Sequence, residues 1–177
     1  MNRAVFLDRD GVLTRALVRN GKAYAPVNPA EMEIDADAPA ALARLKAAGF
    51  LLLVITNQPD VARGITRLED VETMHATLRA ALPLDAFFVC YHDNQDACDC
   101  RKPQPGMLIA AAAEHRIDLA ASFMVGDRWR DVDAGAAAGC RTVWIDRGYR
   151  EQAPACAPDA RVDSLRAAAD WIARTPR

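Results

Sequence analysis

Asp8-Arg9-Asp10-Gly11 places two carboxylates two residues apart, where the apolar run 4–7 gives way to a glycine. Where a strand runs out into a loop, residues i and i+2 can point the same way. One carboxylate can then attack an electrophile while the other handles a proton. Polar groups also close the other apolar runs. Thr56-Asn57-Gln58 follows 51–55, Gly126-Asp127 follows 122–125 with Asp131 four residues beyond, and Arg101-Lys102-Pro103 lies between a third run and the next helix. Together they suit phosphoryl transfer, which needs an in-line nucleophile and cations on the phosphoryl oxygens. Asp8 reads as the nucleophile and the Asp10 side chain as general acid and base. A bare carboxylate repels a phosphate dianion, so a hard cation must sit between them. Mg²⁺ fits, held by Asp8, the Asp10 backbone carbonyl and Asp127. Thr56 is a hydrogen-bond donor and Lys102 a fixed positive charge for the phosphoryl oxygens.

A second constellation is Cys90-x-His92 followed by Cys98-x-Cys100, four metal-ligand side chains within eleven residues. The gap 93–97 lets the loop fold back and close a tetrahedral Cys₃His site, which is the pattern of structural zinc. Four protein ligands leave no position open for water, so such a zinc is not catalytic. Cys100 directly precedes Arg101-Lys102, so zinc would pin this loop and aim Lys102. The alternative is an unmetallated loop of reduced cysteines. Of the remaining candidates, His75 is expected partly exposed on a helix and His115 near a helix end. Cys140 is expected as a small buried hydrophobe, and Trp129, Trp144 and Trp171 as packing residues, with Trp129 near the entrance to the site.

The elements that must hold these groups can be read from periodicity. Strand-like runs at 4–7, 50–55, 86–90, 122–125 and 141–145 alternate with helical patterns at 38–48, 66–82, 105–115, 129–138 and 164–174. Thr66-Arg67-Leu68-Glu69 has the spacing of a capping box. Alternation of this kind predicts an α/β protein: a Rossmann-like, doubly wound, mostly parallel sheet with helices on both faces. Residues 14–37 break the pattern and read as a loop or small hairpin over the exit of the first strand. Residues 153–158 read as a surface turn. The 177 residues, 51% of them apolar, are expected to form one domain, 1–177, without a large cap. A net charge of −2 disfavours a nucleic-acid partner. The five cysteines, with no apparent leader or membrane span, favour a metal over disulfides. The expectation is a soluble, cytoplasmic monomer.

Leu7-Asp8-Arg9-Asp10-Gly11, Thr56-Asn57-Gln58 with Ala62-Arg63-Gly64, Cys100-Arg101-Lys102-Pro103-x-Pro105-Gly106-Met107 and Val125-Gly126-Asp127 together resemble the haloacid dehalogenase-like phosphatases. Within them, the chain is similar to the group of heptose 1,7-bisphosphate 7-phosphatases and histidinol phosphatases, over residues 3–147. The resemblance implies an aspartyl-phosphate at Asp8, catalytic Mg²⁺ and structural zinc. It implies a substrate-binding set of Thr56, Asn57, Gln58, Arg101, Lys102 and Arg128, with Asp131 supporting the metal from behind. Arg101, Arg128 and Arg63 would hold a second phosphate. A small phosphorylated sugar is the implied substrate, with the 7-phosphate of heptose 1,7-bisphosphate the first choice, on the way to nucleotide-activated heptose. Alternatives are histidinol phosphate, a nucleic-acid 3′-phosphate, or a non-catalytic metal-binding module. The chain departs from the family where Asn57-Gln58 runs into Pro59-Asp60 and not Ser-Gly. Proline removes a backbone N–H and Asp60 adds negative charge near the site.

Overall fold

The computed structural model describes residues 1–176. In chain order the elements are β1 (Ala4–Leu7), the hairpin β2 (Leu17–Arg19) and β3 (Lys22–Tyr24), α1 (Ala38–Ala47), β4 (Leu51–Asn57), α2 (Leu68–Ala81), β5 (Ala86–Cys90), α3 (Gly106–His115), β6 (Phe123–Gly126), α4 (Trp129–Ala137), β7 (Arg141–Ile145), β8 (Ala160–Val162) and α5 (Leu165–Arg174). Six strands form one sheet in the order β5-β4-β1-β6-β7-β8, every pair parallel.

Residue alternation along each strand builds two cores. Val5, Leu7, Leu52, Val54, Val125 and Val143 face one side, where α1 and α5 cover them with Leu42, Leu45, Leu165 and Ile172. Ala4, Phe6, Leu53, Ile55 and Met124 face the other side, where α3 and α4 supply Met107, Leu108 and Ala134. Strands buried on both faces read as continuous apolar runs, which is the signature of a parallel sheet. Each fully buried Leu or Val contributes about 1.5–3 kcal/mol, so the strands that carry the site are anchored on both sides.

β1 is the centre of this arrangement. It pairs with β4 on one side and β6 on the other, so the chain winds outward from it in both directions. The crevice at such a switch point, at the carboxyl ends of the strands, is where open α/β sheets place ligands. Asp8, Thr56, Asn57, Cys90 and Asp127 all lie on that rim.

Two expectations change and one holds. Thr66 does not cap α2: the N-cap is Arg67, with no side-chain hydrogen bond to the helix, because the Thr66 hydroxyl donates to the Val27 carbonyl. It ties the flap to the helix instead. Residues 14–37 do contain a hairpin, Leu17–Tyr24. The sheet also has an edge strand, β8, which was not expected; three residues pairing with β7 through Val143, Trp144 and Ile145 are too few to leave a period-2 pattern. Among the described residues no helix is long and apolar enough to cross a membrane.

Candidate active site

The ladder between β1 and β6 continues one residue beyond β1, where Asp8 N donates to Val125 O at 3.0 Å. That bond aims the Asp8 carboxylate off the sheet edge. Its Oδ1 lies 2.9 Å from Lys102 Nζ, and the same ammonium lies 2.6 Å from Asp131 Oδ1 and 2.7 Å from Ile55 O. All three protons of Lys102 are therefore engaged. Burial alone would lower the Lys102 pKa, but the carboxylates of Asp131 and Asp8 outweigh it and hold the amine charged.

Asn57 clamps the backbone of the same lysine. Its Oδ1 accepts from Lys102 N and its Nδ2 donates to Lys102 O, both at 3.0 Å. Asn57 lines the cavity, as its assignment to the substrate from sequence requires, and its amide also holds Lys102 in place. Gln58, assigned likewise, is buried. It donates to Asp10 Oδ2 and Thr56 Oγ1, both at 2.9 Å. Thr56 accepts this bond, which leaves its own proton for another acceptor.

Asp10 is held from several sides. Arg9 donates to both of its oxygens at 2.9 Å, Thr14 Oγ1 donates to Oδ1 at 3.1 Å and Gln58 to Oδ2. Arg9 itself is fully buried, with further contacts to Gln58 Oε1 at 3.0 Å and His75 Nε2 at 3.2 Å. A guanidinium can only donate, so His75 Nε2 accepts and Nδ1 carries the proton. His75 is buried, not partly exposed as expected. Burial first, and then the Arg9 charge, hold its pKa down to about 4.

Asp8, Asp127 and Asp131 offer ligand oxygens all within 4.8 Å of one another. Burial raises the Asp8 pKa to about 7, with Asp131 adding to the effect and Lys102 opposing it. Burial also raises Asp127 well above the usual carboxylate range, reinforced by Asp8 and Asp131. Asp127 Oδ1 is buried without a hydrogen-bond partner. Crowded buried carboxylates with an orphaned oxygen fit a hard divalent cation. Asp131, expected in support, stands in this group with its Oδ1 on Lys102 Nζ. It also accepts from Arg128 N at 3.0 Å, which starts α4. Two glycines permit the crowding: a Cβ at Gly11 would lie 1.7 Å from Asp127 Oδ2, and one at Gly126 2.0 Å from the Asp131 Cβ.

The Cys90, His92, Cys98 and Cys100 side chains converge at the end of β5. Cys90–Cys98 and Cys98–Cys100 sulfurs are 3.9 and 3.6 Å apart, close to the roughly 3.7 Å edge of a tetrahedron with 2.3 Å Zn–S bonds. Cys90–Cys100 is tighter, at 2.8 Å, and His92 Nδ1 is 3.2 Å from Cys100 Sγ. Burial pushes the Cys100 thiol up to about 12 and raises Cys90 as well. A zinc ion would reverse this by binding thiolates, and the donor set suits it.

The acidic floor opens into a cavity of about 510 Å³, with the β2–β3 hairpin on one wall and Arg101, Arg128 and Arg130 among its other lining residues. Arg101 is clasped by the zinc loop: its Nη1 donates to His92 O at 3.1 Å and its Nη2 to Asn94 Oδ1 at 2.8 Å. Arg128 pairs with Glu151 at 2.6 and 3.0 Å. Arg63 pairs with Asp60 and Asp93, so the charge that Asp60 brings is neutralised locally. Arg130 was not singled out from sequence. It stacks on Trp129, and its buried Nε has no partner. Burial, together with Arg101 and Arg128, lowers its pKa. Tyr149, also unforeseen, donates to Asp127 Oδ2 at 2.8 Å. Neither residue falls in a spaced motif that would have marked it. Trp144 Nε1 donates to Asp127 O at 3.1 Å, and Trp171 packs edge-on against Phe123.

A model of the HAD-hydrolase-like family matches residues 99–168. The D-glycero-beta-D-manno-heptose-1,7-bisphosphate 7-phosphatase of Pseudomonas putida is 35% identical over 158 residues, 85% of this chain and 86% of that protein. The enzyme of the same name from Escherichia coli K12 is 35% identical over 181 aligned positions, 96% of this chain and 87% of that one. Among solved structures, D,D-heptose 1,7-bisphosphate phosphatase from B. bronchiseptica, complexed with magnesium and phosphate, superposes with a TM-score of 0.78 at 30% identity, covering 96% of this chain and 97% of that one.

Proposed function

The chain belongs to the haloacid dehalogenase-like phosphatases, in the family of the heptose-1,7-bisphosphate 7-phosphatases, and we propose that it removes the 7-phosphate of D-glycero-D-manno-heptose 1,7-bisphosphate. One observation carries this reading. Asp8 stands between a cluster of acidic oxygens and the Lys102 ammonium, on the floor of a cavity whose lining also includes the guanidinium groups of Arg101, Arg128 and Arg130.

In this reading the Asp8 carboxylate attacks phosphorus, the ester P–O bond breaks, and Asp10 gives its proton to the departing sugar oxygen. Asp10 then takes a proton from water, the water oxygen bonds to phosphorus, and the bond to Asp8 breaks, releasing inorganic phosphate. Mg²⁺ held by Asp8, the Asp10 carbonyl and Asp127 supplies the charge neutralisation between carboxylate and phosphate. Lys102 and Thr56 donate to the phosphoryl oxygens, Lys102 exchanging its Asp8 contact for one of them. Arg9, Gln58 and Thr14 keep Asp10 turned to the leaving oxygen. Cys90, His92, Cys98 and Cys100 would hold a zinc ion that fixes the loop carrying Arg101 and Lys102.

The second phosphate meets Arg101, Arg128 and Arg130. Arg130 contributes most, because its Nε has no partner, whereas Arg101 is held by His92 O and Asn94 and Arg128 by Glu151. The reading extends to a monomer acting in the cytoplasm on a small sugar, with no nucleic-acid partner, in keeping with the net charge of −2. It is tested by phosphate release with Mg²⁺ from both heptose 1,7-bisphosphate anomers, histidinol phosphate, fructose 1,6-bisphosphate and a 3′-phosphorylated oligonucleotide. Highest kcat/KM on a heptose bisphosphate supports it; preference for histidinol phosphate or the oligonucleotide overturns it.

A further inference from the structure

The two oxygens of Asp127 have opposite surroundings. Oδ2 accepts from the Tyr149 hydroxyl at 2.8 Å and packs against the Gly11 backbone so closely that no Cβ would fit between them. Oδ1 is buried with no partner at all. A carboxylate on a free torsion could offer either oxygen, or both, to a ligand. Here one oxygen is already bound and walled in, and the other is left bare inside the protein. A buried acceptor without a partner is costly, so the orientation needs something to hold it and something to use it.

The phenol is well placed to hold it. Tyr149 comes from the loop that follows β7, twenty-two residues beyond Asp127, so the contact is tertiary and not a local turn. A phenol is a hydrogen-bond donor and the Asp127 oxygen can only accept from it. The backbone next to it is fastened at several points. Arg147 donates to Gly11 O at 3.1 and 3.2 Å, Arg150 N donates to Gly21 O at the hairpin tip at 2.8 Å, and Glu151 grips Arg128. The phenol is thus presented by a loop with little freedom to withdraw.

We propose that Tyr149 is a positioning residue for the cation centre: it locks Asp127 through Oδ2 so that Oδ1 alone faces the ion. This rests on the reading of Asp127 as a Mg²⁺ ligand. Partners of this kind behind a ligand typically change metal affinity by about 10–100-fold when removed. The role separates binding from turnover, because Tyr149 touches neither the phosphoryl group nor the Asp10 proton path.

The test is a calorimetric Mg²⁺ titration of the full chain without substrate, for wild type, Tyr149→Phe, Glu151→Gln and Asp127→Asn. The expected result is a Kd for Mg²⁺ raised about tenfold or more in Tyr149→Phe, with kcat recovered at saturating Mg²⁺. Glu151→Gln, altered in the same loop, should bind Mg²⁺ close to wild type. Thermal unfolding adds a second readout: Tyr149→Phe, which leaves the buried Asp127 Oδ2 without its partner, melts below the wild type in the absence of Mg²⁺ and gains less when it is added. Wild-type affinity in Tyr149→Phe overturns the role of the phenol, provided Asp127→Asn has lost binding. An equal loss in Glu151→Gln assigns the effect to the loop as a whole and also overturns it. Wild-type binding in Asp127→Asn overturns instead the reading of the cation centre.

Discussion

Arg9 grips the carboxylate of its own chain neighbour, Asp10, through two hydrogen bonds of 2.9 Å, Nε to Oδ1 and Nη2 to Oδ2, while buried out of contact with solvent. The residue between Asp8 and Asp10 is therefore kept out of the cavity lining and fixes Asp10 from behind. Arg9→Lys keeps the charge but loses the planar fork. We expect kcat to fall by about 10²-fold with KM nearly unchanged, since the general acid and base loses its aim and not its identity. Steady-state kinetics on the bisphosphate checks this; an equal rise in KM with kcat intact would place Arg9 in substrate binding.

The neighbour of Arg9 on the far side gives a stability prediction. His75 has a pKa of about 4 in the folded chain against 6.5 when free. Between these values the unfolded chain binds more protons than the native one. Stability is therefore fully present above pH 6.5, falls as pH drops through 6.5 toward 4, and levels off below. The contribution is on the order of 3 kcal/mol at most. Denaturant unfolding at pH 7 and pH 4.5 should show a smaller loss for His75→Gln than for wild type. An identical loss in both would show that His75 does not titrate on unfolding.

Zinc is expected to act through position. Cys98→Ser should lose zinc by metal analysis, lower the melting temperature, and reduce turnover, because Arg101 is held by His92 O and Asn94 and Lys102 follows it. A variant that loses zinc and keeps full activity would separate the loop from the chemistry.

Arg130 offers a specificity test. Arg130→Met should raise KM for the heptose bisphosphate about tenfold or more, the size of a lost charge-assisted hydrogen bond, and leave KM for p-nitrophenyl phosphate unchanged. Equal effects on both substrates would move Arg130 to the reacting phosphate.

Much of the fold was open to reading because a parallel sheet buried on both faces leaves uninterrupted apolar runs, as at 51–55, and because polar residues with no business in a core follow such runs. That is why Asp8, Thr56 and Asp127 could be picked out, and Lys102 from its place between the third run and the next helix. Residues that act through tertiary contacts left no such trace. Nothing in the sequence marks Arg9 for burial, since buried arginines are rare. His75 sits on a helix with ordinary spacing, and its burial depends on where Arg9 goes. Tyr149 and Arg130 become meaningful only when β7 and α4 bring them beside Asp127 and Arg101. Thr66 had the spacing of a cap, but the flap carbonyl at Val27 competed for its hydroxyl and won. Asn57 and Gln58 stood in the right place; which partner they took was settled by the chain around Lys102 and Arg9.

The central claim is that Asp8 attacks phosphorus, and Asp8→Asn tests it most directly. The substitution preserves shape and removes the nucleophilic charge. Phosphate release from heptose 1,7-bisphosphate, followed at saturating Mg²⁺ beside a thermal unfolding curve, should fall by at least about 10³-fold while the protein remains folded. A folded Asp8→Asn variant that still turns over at a tenth of the wild-type rate or more would contradict the account.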